Sequence, residues 1–131
     1  MISSTPNRQG FALMLCDDSF DRLHAAFMLA TSALALDRPV IIFATGPGVL
    51  ALSREAPSLA FAEDAAGLAG RGVVSLFALR EALVAMEARL LVCESGLRRT
   101  GLQASDLIDG TRVAGLPTFL DLAAGHQIVT F

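Results

Sequence analysis

Residues 40–45 form the apolar run VIIFAT, in which no polar side chain alternates with the apolar ones. An unbroken row of β-branched and aromatic side chains is typical of a strand covered on both faces, as in a parallel sheet. The run ends at Gly46, Pro47 and Gly48, residue types that stop a strand and open a turn. This stretch therefore indicates an α/β fold with helices on both sides of the sheet.

Similar patterns continue on both sides of this strand. Further apolar runs predict strands at residues 10–16, 89–94, 113–114 and 126–131. Apolar spacings of three and four predict helices from Phe20 to near Asp37, at residues 74–88 and at residues 116–124. Shorter helical segments are expected at residues 49–54, 95–100 and 105–108. This alternation predicts a three-layer, flavodoxin-like fold with a mainly parallel sheet of four or five strands.

Length and composition predict a single domain over residues 1–131. Within it, residues 55–72 lose periodicity and become rich in Ala and Gly, so we expect a mobile loop there. The hydrophobic fraction of 53% is high for a monomer of this size, which predicts that an apolar subunit interface is also buried.

Several classes of function are disfavoured. The net charge is −3, and all ten basic residues are arginines spread along the chain, so no nucleic-acid partner is expected. The longest charge-free stretches are shorter than the roughly 20 residues that a membrane span needs. The polar start of the chain carries no secretory signal, which predicts a cytoplasmic location. Neither a dinucleotide fingerprint, a phosphate loop nor a zinc spacing occurs, so we expect no cofactor and no metal.

Cys93 is the leading candidate for chemistry. It lies at the carboxyl end of a predicted strand, where ligands bind in parallel α/β folds. The next residues begin a helical turn, so backbone N–H groups at Ser95 and Gly96, with Arg98 or Arg99, would favour a thiolate. Against this, Glu94 opposes a thiolate, and a single cysteine on an apolar strand is often an inert core residue.

Cys16 and His24 are secondary candidates. In a flavodoxin-like order the first strand neighbours the third, which would bring Cys16 close to Cys93 as a resolving or relay thiol, or as half of a redox switch. His24 would face the same crevice as a proton donor. The alternatives are a buried strand-end cysteine and a structural histidine, while His126 falls at the opposite edge of the sheet and receives no role.

Two further motifs have simple structural explanations. Gly46-Pro47-Gly48 is either an anion-binding turn or a structural one, and Pro47 removes one of the N–H donors that an anion would use. Asp17-Asp18 would either hold a magnesium ion or cap the helix that follows, and capping needs no additional ligand.

The stretch LLVCESGLRRTG at residues 90–101 resembles the cysteine motif of the DsrE/DsrF-like sulfur-transfer family. The similarity continues through LIDG at residues 107–110, VAG at 113–115 and IVTF at 128–131. Earlier in the chain it includes the Ala-rich helix at residues 25–36, the strand at 40–45 and GVL at 48–50. It therefore covers most of the chain in order, and residues 55–72 match least.

The resemblance implies a subunit that forms trimers or hexamers and carries sulfane sulfur as a persulfide on Cys93. The expected function is that of a sulfur carrier or sulfurtransferase working with donor and acceptor proteins. The family also contains members that lack the cysteine, so an alternative stays open: a non-catalytic oligomeric module of the same fold that binds a small ligand or a protein.

Overall fold

Five parallel strands form one sheet in the computed structural model, which describes residues 8–56 and 68–131. The strands are β1 (Phe11–Leu15), β2 (Val40–Ala44), β3 (Arg89–Cys93), β4 (Thr111–Ala114) and β5 (Gln127–Thr130). Their order across the sheet is β4-β3-β2-β1-β5. Every residue of β2 is buried, as its continuous apolar run predicts, whereas the two edge strands are largely half-buried or exposed.

Within the described residues, four α-helices and three 3-10 segments connect the strands. The α-helices are α1 (Phe20–Ala35), α2 (Leu76–Ala85), α3 (Glu94–Thr100) and α4 (Leu116–Leu122). The 3-10 segments are Gly46–Leu52, Ala69–Arg71 and Ala104–Asp106. α1 and α2 begin where a serine side chain accepts a hydrogen bond from a free backbone N–H: Ser19 from Arg22, and Ser75 from Ala78.

The helices divide between the two faces of the sheet. On one face, α1 and α2 bury Leu23, Phe27 and Leu83 in a core that also contains Ile42 and Val92. On the other face, Phe119 and Ala123 of α4 pack on Ile41, Phe43 and Leu91, and the rings of Phe43 and Phe119 stack with centroids 4.7 Å apart. The three-layer α/β class with a parallel sheet is confirmed.

The strand order corrects one expectation. We expected the first strand to neighbour the third, but β2 pairs with both and lies between them. The chain adds β2, β3 and β4 in succession on one side of β1, and β5 then pairs with the other side of β1. The fully buried β2 therefore occupies the centre of the sheet, where a strand apolar on both faces loses the most contact with water.

The segment after β2 also differs from its prediction. A turn at residues 46–48 and a helix at 49–54 were expected, whereas one 3-10 segment begins directly at Gly46. Gly48 packs so closely on β1 that a Cβ there would overlap the Leu15 carbonyl group. At the far end, the buried guanidinium of Arg80 donates hydrogen bonds of 3.0 and 2.8 Å to the carbonyl oxygens of Ala51 and Ser53. This segment is thus held from both sides.

The mobile loop predicted for residues 55–72 lies mostly outside the described residues, because 57–67 are not described. On its carboxyl side, the short 3-10 segment Ala69–Arg71 leads towards α2. In the described part of the chain, none of the helices combines the length and apolar character that a membrane crossing requires.

Candidate functional site

Cys93 lies where β3 ends and α3 begins. It is the last residue of β3 and the N-cap of α3, and its extended backbone angles (φ −70°, ψ 132°) turn the chain into the helix. Its side chain is half-buried and packs beside the cluster of Phe43 and Leu91 under α4. The sulfur is therefore held against the sheet and is still reachable from solvent at the carboxyl edge.

Hydrogen-bond donors surround the Cys93 sulfur. Its Sγ lies 3.0 Å from the Ser95 hydroxyl oxygen. Burial raises the pKa of the Cys93 thiol, but hydrogen bonds from the Ser95 side chain, the Gly96 and Ser95 backbone N–H groups and the Thr45 side chain bring the pKa below its ordinary value. Each of these donors favours the anion over the neutral thiol.

Gly96 allows this arrangement because α3 lies almost in contact with the segment Gly46–Leu52. A Cβ on Gly96 would lie 2.6 Å from Val49 Cγ2 and 3.1 Å from the Gly46 nitrogen. A side chain at position 96 would therefore force α3 or the segment Gly46–Leu52 to move. Glycine at this position therefore sets how closely the first turn of α3 approaches Thr45 and Gly46.

The two arginines of α3 occupy different surroundings. Arg98 Nη2 lies 3.7 Å from Glu94 Oε1 in an exposed pair, so the carboxylate that would oppose a thiolate has a cation beside it. Arg99 extends over the end of β2, since its Nη1 lies 3.5 Å from where a Cβ on Gly46 would stand. Both guanidinium groups thus belong to the carboxyl edge of the sheet, and Arg98 is already engaged by Glu94.

Thr45 is a site residue that inspection of the sequence missed. Leu15 pairs with Ala44, and Ala44 pairs with Val92, so the next residues Cys16, Thr45 and Cys93 form one row across β1, β2 and β3. Thr45 is the middle member, and its side chain hydrogen-bonds to Cys93. The available signal was its position at the end of the strand that precedes the Cys93 strand, but the sequence alone did not show that these two strands are neighbours.

The same row separates the two cysteines. Neighbouring strands lie about 4.8 Å apart, so two spacings put the Cα atoms of Cys16 and Cys93 roughly 10 Å apart. A disulfide needs Cα atoms within about 7 Å. Cys16 is exposed, and its backbone N–H donates to the Phe131 carbonyl at the end of β5. The expectation that it neighbours Cys93 is wrong, because β2 intervenes.

His24 makes contacts that tie two helical regions together. Its Nε2 lies 2.9 Å from the Val74 carbonyl oxygen, and its ring stacks on Phe20 with centroids 5.2 Å apart. Val74 immediately precedes the Ser75 cap of α2. The described hydrogen bond of the imidazole thus joins α1 to the start of α2 and does not reach Cys93.

The acidic residue Asp17 lies just before α1 and contacts the Ser19 cap and the first turn of that helix. Asp17 Oδ1 accepts a hydrogen bond of 2.9 Å from the Ser19 backbone N–H, and Asp17 Oδ2 lies 3.5 Å from Arg22 Nε. Within residues 8–56 and 68–131, no three His, Cys, Asp or Glu side chains gather as a metal site would require. The expectation that Asp17-Asp18 caps the helix is therefore corrected: Ser19 is the cap, and Asp17 supports it by accepting the Ser19 N–H.

Comparisons with known proteins identify the fold and the family of the chain. The chain is similar over 95% of its length to two solved structures, each covered completely: a protein of unknown function, MTH1491 from Methanobacterium thermoautotrophicum (18% identity, TM-score 0.64), and the YchN protein from E. coli (16% identity, TM-score 0.66). At these identities the likeness concerns the fold. A comparison with curated proteins gives no match. The model of the DsrE/DsrF-like family matches residues 11–131, and the chain therefore belongs to the DsrE/DsrF-like family.

Proposed function

We propose that this protein accepts sulfane sulfur as a persulfide on Cys93 and passes it to an acceptor thiol. The observation that carries the proposal is the set of donors around the Cys93 sulfur, which lowers the pKa of the thiol while leaving it reachable. Family membership supports a sulfur-relay role for this fold. A thiolate is the species that such an exchange requires.

The reaction consists of two thiol–persulfide exchanges without net oxidation or reduction. The Cys93 thiolate attacks the outer sulfur of a donor persulfide, a new S–S bond forms, and the donor leaves as a thiolate. The acceptor thiolate then attacks the outer sulfur on Cys93, and Cys93 leaves as the thiolate. Sulfur has moved from donor to acceptor, and the carrier returns to its starting state.

The surrounding groups serve each stage of this cycle. Hydrogen bonds from Ser95, Gly96 and Thr45 stabilise the thiolate before loading, and they remain available to the persulfide anion afterwards. Arg99, which extends over the end of β2, supplies positive charge where an anionic donor approaches. Arg98 offsets Glu94, which would otherwise repel that donor.

We further propose that the chain works as a homo-oligomer, a trimer or a hexamer, with thiol-bearing donor and acceptor proteins in the cytoplasm. The seven-residue α4 covers part of one sheet face, and three large apolar side chains on α4 and β5 remain exposed: Leu116 at 46%, Leu120 at 53% and Ile128 at 47%. Apolar surface of this kind is typical of a subunit interface. The whole chain would then act as one domain of each subunit.

The experiment is a load-and-discharge assay on the wild type, Cys93→Ser and Cys16→Ser. Each protein is incubated with a low-molecular-weight persulfide, desalted, and mixed with an acceptor thiol whose gain of sulfur is followed by mass spectrometry. We expect the wild type and Cys16→Ser to load and discharge, and Cys93→Ser to do neither, with an unchanged circular dichroism spectrum. Sulfur transfer by Cys93→Ser, or no loading of the fully reduced wild type, would overturn the proposal and favour a non-catalytic binding module.

A further inference from the structure

A cavity of about 480 Å³ lies at the amino ends of the strands, on the opposite edge of the sheet from Cys93. The buried Ile41 and the half-buried Leu34 and Leu122 supply apolar lining, while Glu87 and Arg89 supply exposed charged groups. A volume of this size falls in the range of about 300 to 1,000 Å³ that is usual for small-molecule sites. The lining combines apolar and polar surface in similar proportion, which suits a ligand with both an apolar and a charged part.

Two side chains of opposite charge line this cavity. Glu87 and Arg89 lie two positions apart in sequence, and neither side chain forms a salt bridge within the described part of the chain. A third polar group, His126, is fixed in place: its Nδ1 lies 3.2 Å from the Ala124 carbonyl oxygen, and a Cβ on Gly10 would lie 2.6 Å from its Cδ2. The cavity thus offers one anion and one cation beside the fixed imidazole of His126.

Glu87 is also an unfavourable residue type at its position, both for its backbone conformation and for its charge. It follows the end of α2 in a Schellman motif, in which the Glu87 N–H donates to the Val84 carbonyl and the Ala88 N–H donates to the Leu83 carbonyl. Its φ of 64° lies in the left-handed region where glycine is preferred. A negative charge at a helix carboxyl end is also unfavourable. A residue that costs stability in two ways is often retained for binding.

We propose that this cavity binds a small zwitterion with an apolar body, the chemistry of a free apolar amino acid. The ligand carboxylate pairs with Arg89, and its ammonium group pairs with Glu87 and the negative carboxyl end of α2. The apolar body packs on Leu34 and Leu122. This site is separate from Cys93 and goes beyond the sulfur-transfer proposal.

The first test is calorimetric titration of the full-length protein with L-phenylalanine and L-leucine. We expect saturable binding of at least one of them. Phenethylamine, which lacks the carboxylate, and 3-phenylpropanoate, which lacks the ammonium group, should bind at least tenfold more weakly than L-phenylalanine. The absence of binding by both amino acids up to their solubility limits, or binding of either truncated analogue as tightly as L-phenylalanine, would overturn the proposal.

The second test uses Glu87→Gly with a matched control. Asp37 occupies the same position after α1, with φ of 60°, and does not line the cavity. Both Glu87→Gly and Asp37→Gly should raise Tm, because glycine relieves the left-handed backbone. Only Glu87→Gly should weaken amino-acid binding, by at least tenfold, and both variants should load sulfur on Cys93 normally. Unchanged binding in Glu87→Gly, or an equal loss in Asp37→Gly, would contradict the site.

Discussion

At the scale of single residues, the pKa of the Cys93 thiol depends on the hydrogen-bond donors that face the sulfur. Burial alone would raise its pKa, and the hydrogen bonds from Ser95, Gly96 and Thr45 more than offset that effect. A lower pKa means a larger thiolate fraction at neutral pH, so alkylation of Cys93 should reach half its maximal rate at a lower pH than alkylation of N-acetylcysteine. A pH series of iodoacetamide rates, read at the Cys93 peptide, checks this, and a midpoint equal to or above that of N-acetylcysteine would contradict it.

Ser95→Ala should raise the pKa of Cys93, because the hydroxyl oxygen 3.0 Å from the sulfur is removed. The thiolate then loses a hydrogen bond to a charged group, and partial exposure of the sulfur to water limits the upward shift of the pKa. The same alkylation series measures it. Ser105→Ala serves as the control, because Ser105 is an exposed serine in the 3-10 segment Ala104–Asp106. This substitution should leave the alkylation profile of Cys93 unchanged.

Thr45→Val should also raise the pKa of Cys93, since it keeps the side-chain shape and removes the hydroxyl. We expect a smaller shift than for Ser95→Ala, and a Tm close to that of the wild type because Thr45 is half-buried at the end of its strand. Alkylation kinetics and thermal unfolding together distinguish an electrostatic effect from loss of the fold. An unchanged pKa would remove Thr45 from the site.

At the scale of elements, the packing of α3 on the segment Gly46–Leu52 positions the site. Gly96→Ala should lower the free energy of unfolding by about 1 to 3 kcal/mol, because the new methyl group overlaps Val49. This sign is the reverse of the stabilisation by roughly 0.5 to 1 kcal/mol that Gly→Ala gives in an unhindered helix. Urea unfolding measures the change.

Two companion variants test that this cost is steric. Adding Val49→Ala to Gly96→Ala should cost less than the sum of the two single changes, because Val49→Ala removes the methyl group that the new Cβ at position 96 overlaps. Gly70→Ala, where a Cβ would meet no atom within 4 Å, should be close to neutral. Additive losses in the double variant would show that Gly96 is required for some reason other than contact with Val49.

Also at the scale of elements, the positions of β2 and α1 can be predicted from the sequence. Which strands lie next to each other in the sheet cannot be predicted in this way. β2 is buried on both faces, so its sequence is a continuous apolar run. α1 is buried on one face, so its apolar residues recur every three or four positions. Cys93 at a strand end follows from the same pattern. Thr45 does not, because its role depends on β2 lying beside β3, and pairing between strands is a long-range property that local patterns do not record.

At the scale of the whole molecule, the α4 face should mediate assembly. Leu120→Glu places a charge on a side chain that is 53% exposed, and we expect it to reduce the oligomer to smaller species while the circular dichroism spectrum is kept. Light scattering coupled to size-exclusion chromatography provides the mass. Leu36→Glu, at a position 55% exposed at the end of α1, is the matched control and should leave the mass unchanged.

A monomeric wild type would contradict this assembly. So would an equal loss of mass in the Leu120→Glu and Leu36→Glu proteins, because the effect would then not belong to α4. The alkylation profile of Cys93 should be the same in the Leu120→Glu protein as in the wild type, since all the donors to its sulfur come from the same chain.

Peptide mass mapping of the wild type after incubation with a low-molecular-weight persulfide shows directly whether Cys93 is the cysteine that accepts sulfur. The persulfide is trapped by alkylation before digestion, so the cysteine that carries the added sulfur is identified. We expect the added sulfur on the Cys93 peptide, and we expect Cys16 to be far less modified at early times. Loading on Cys16 alone, or equal loading of both cysteines at the rate of a free thiol, would contradict it.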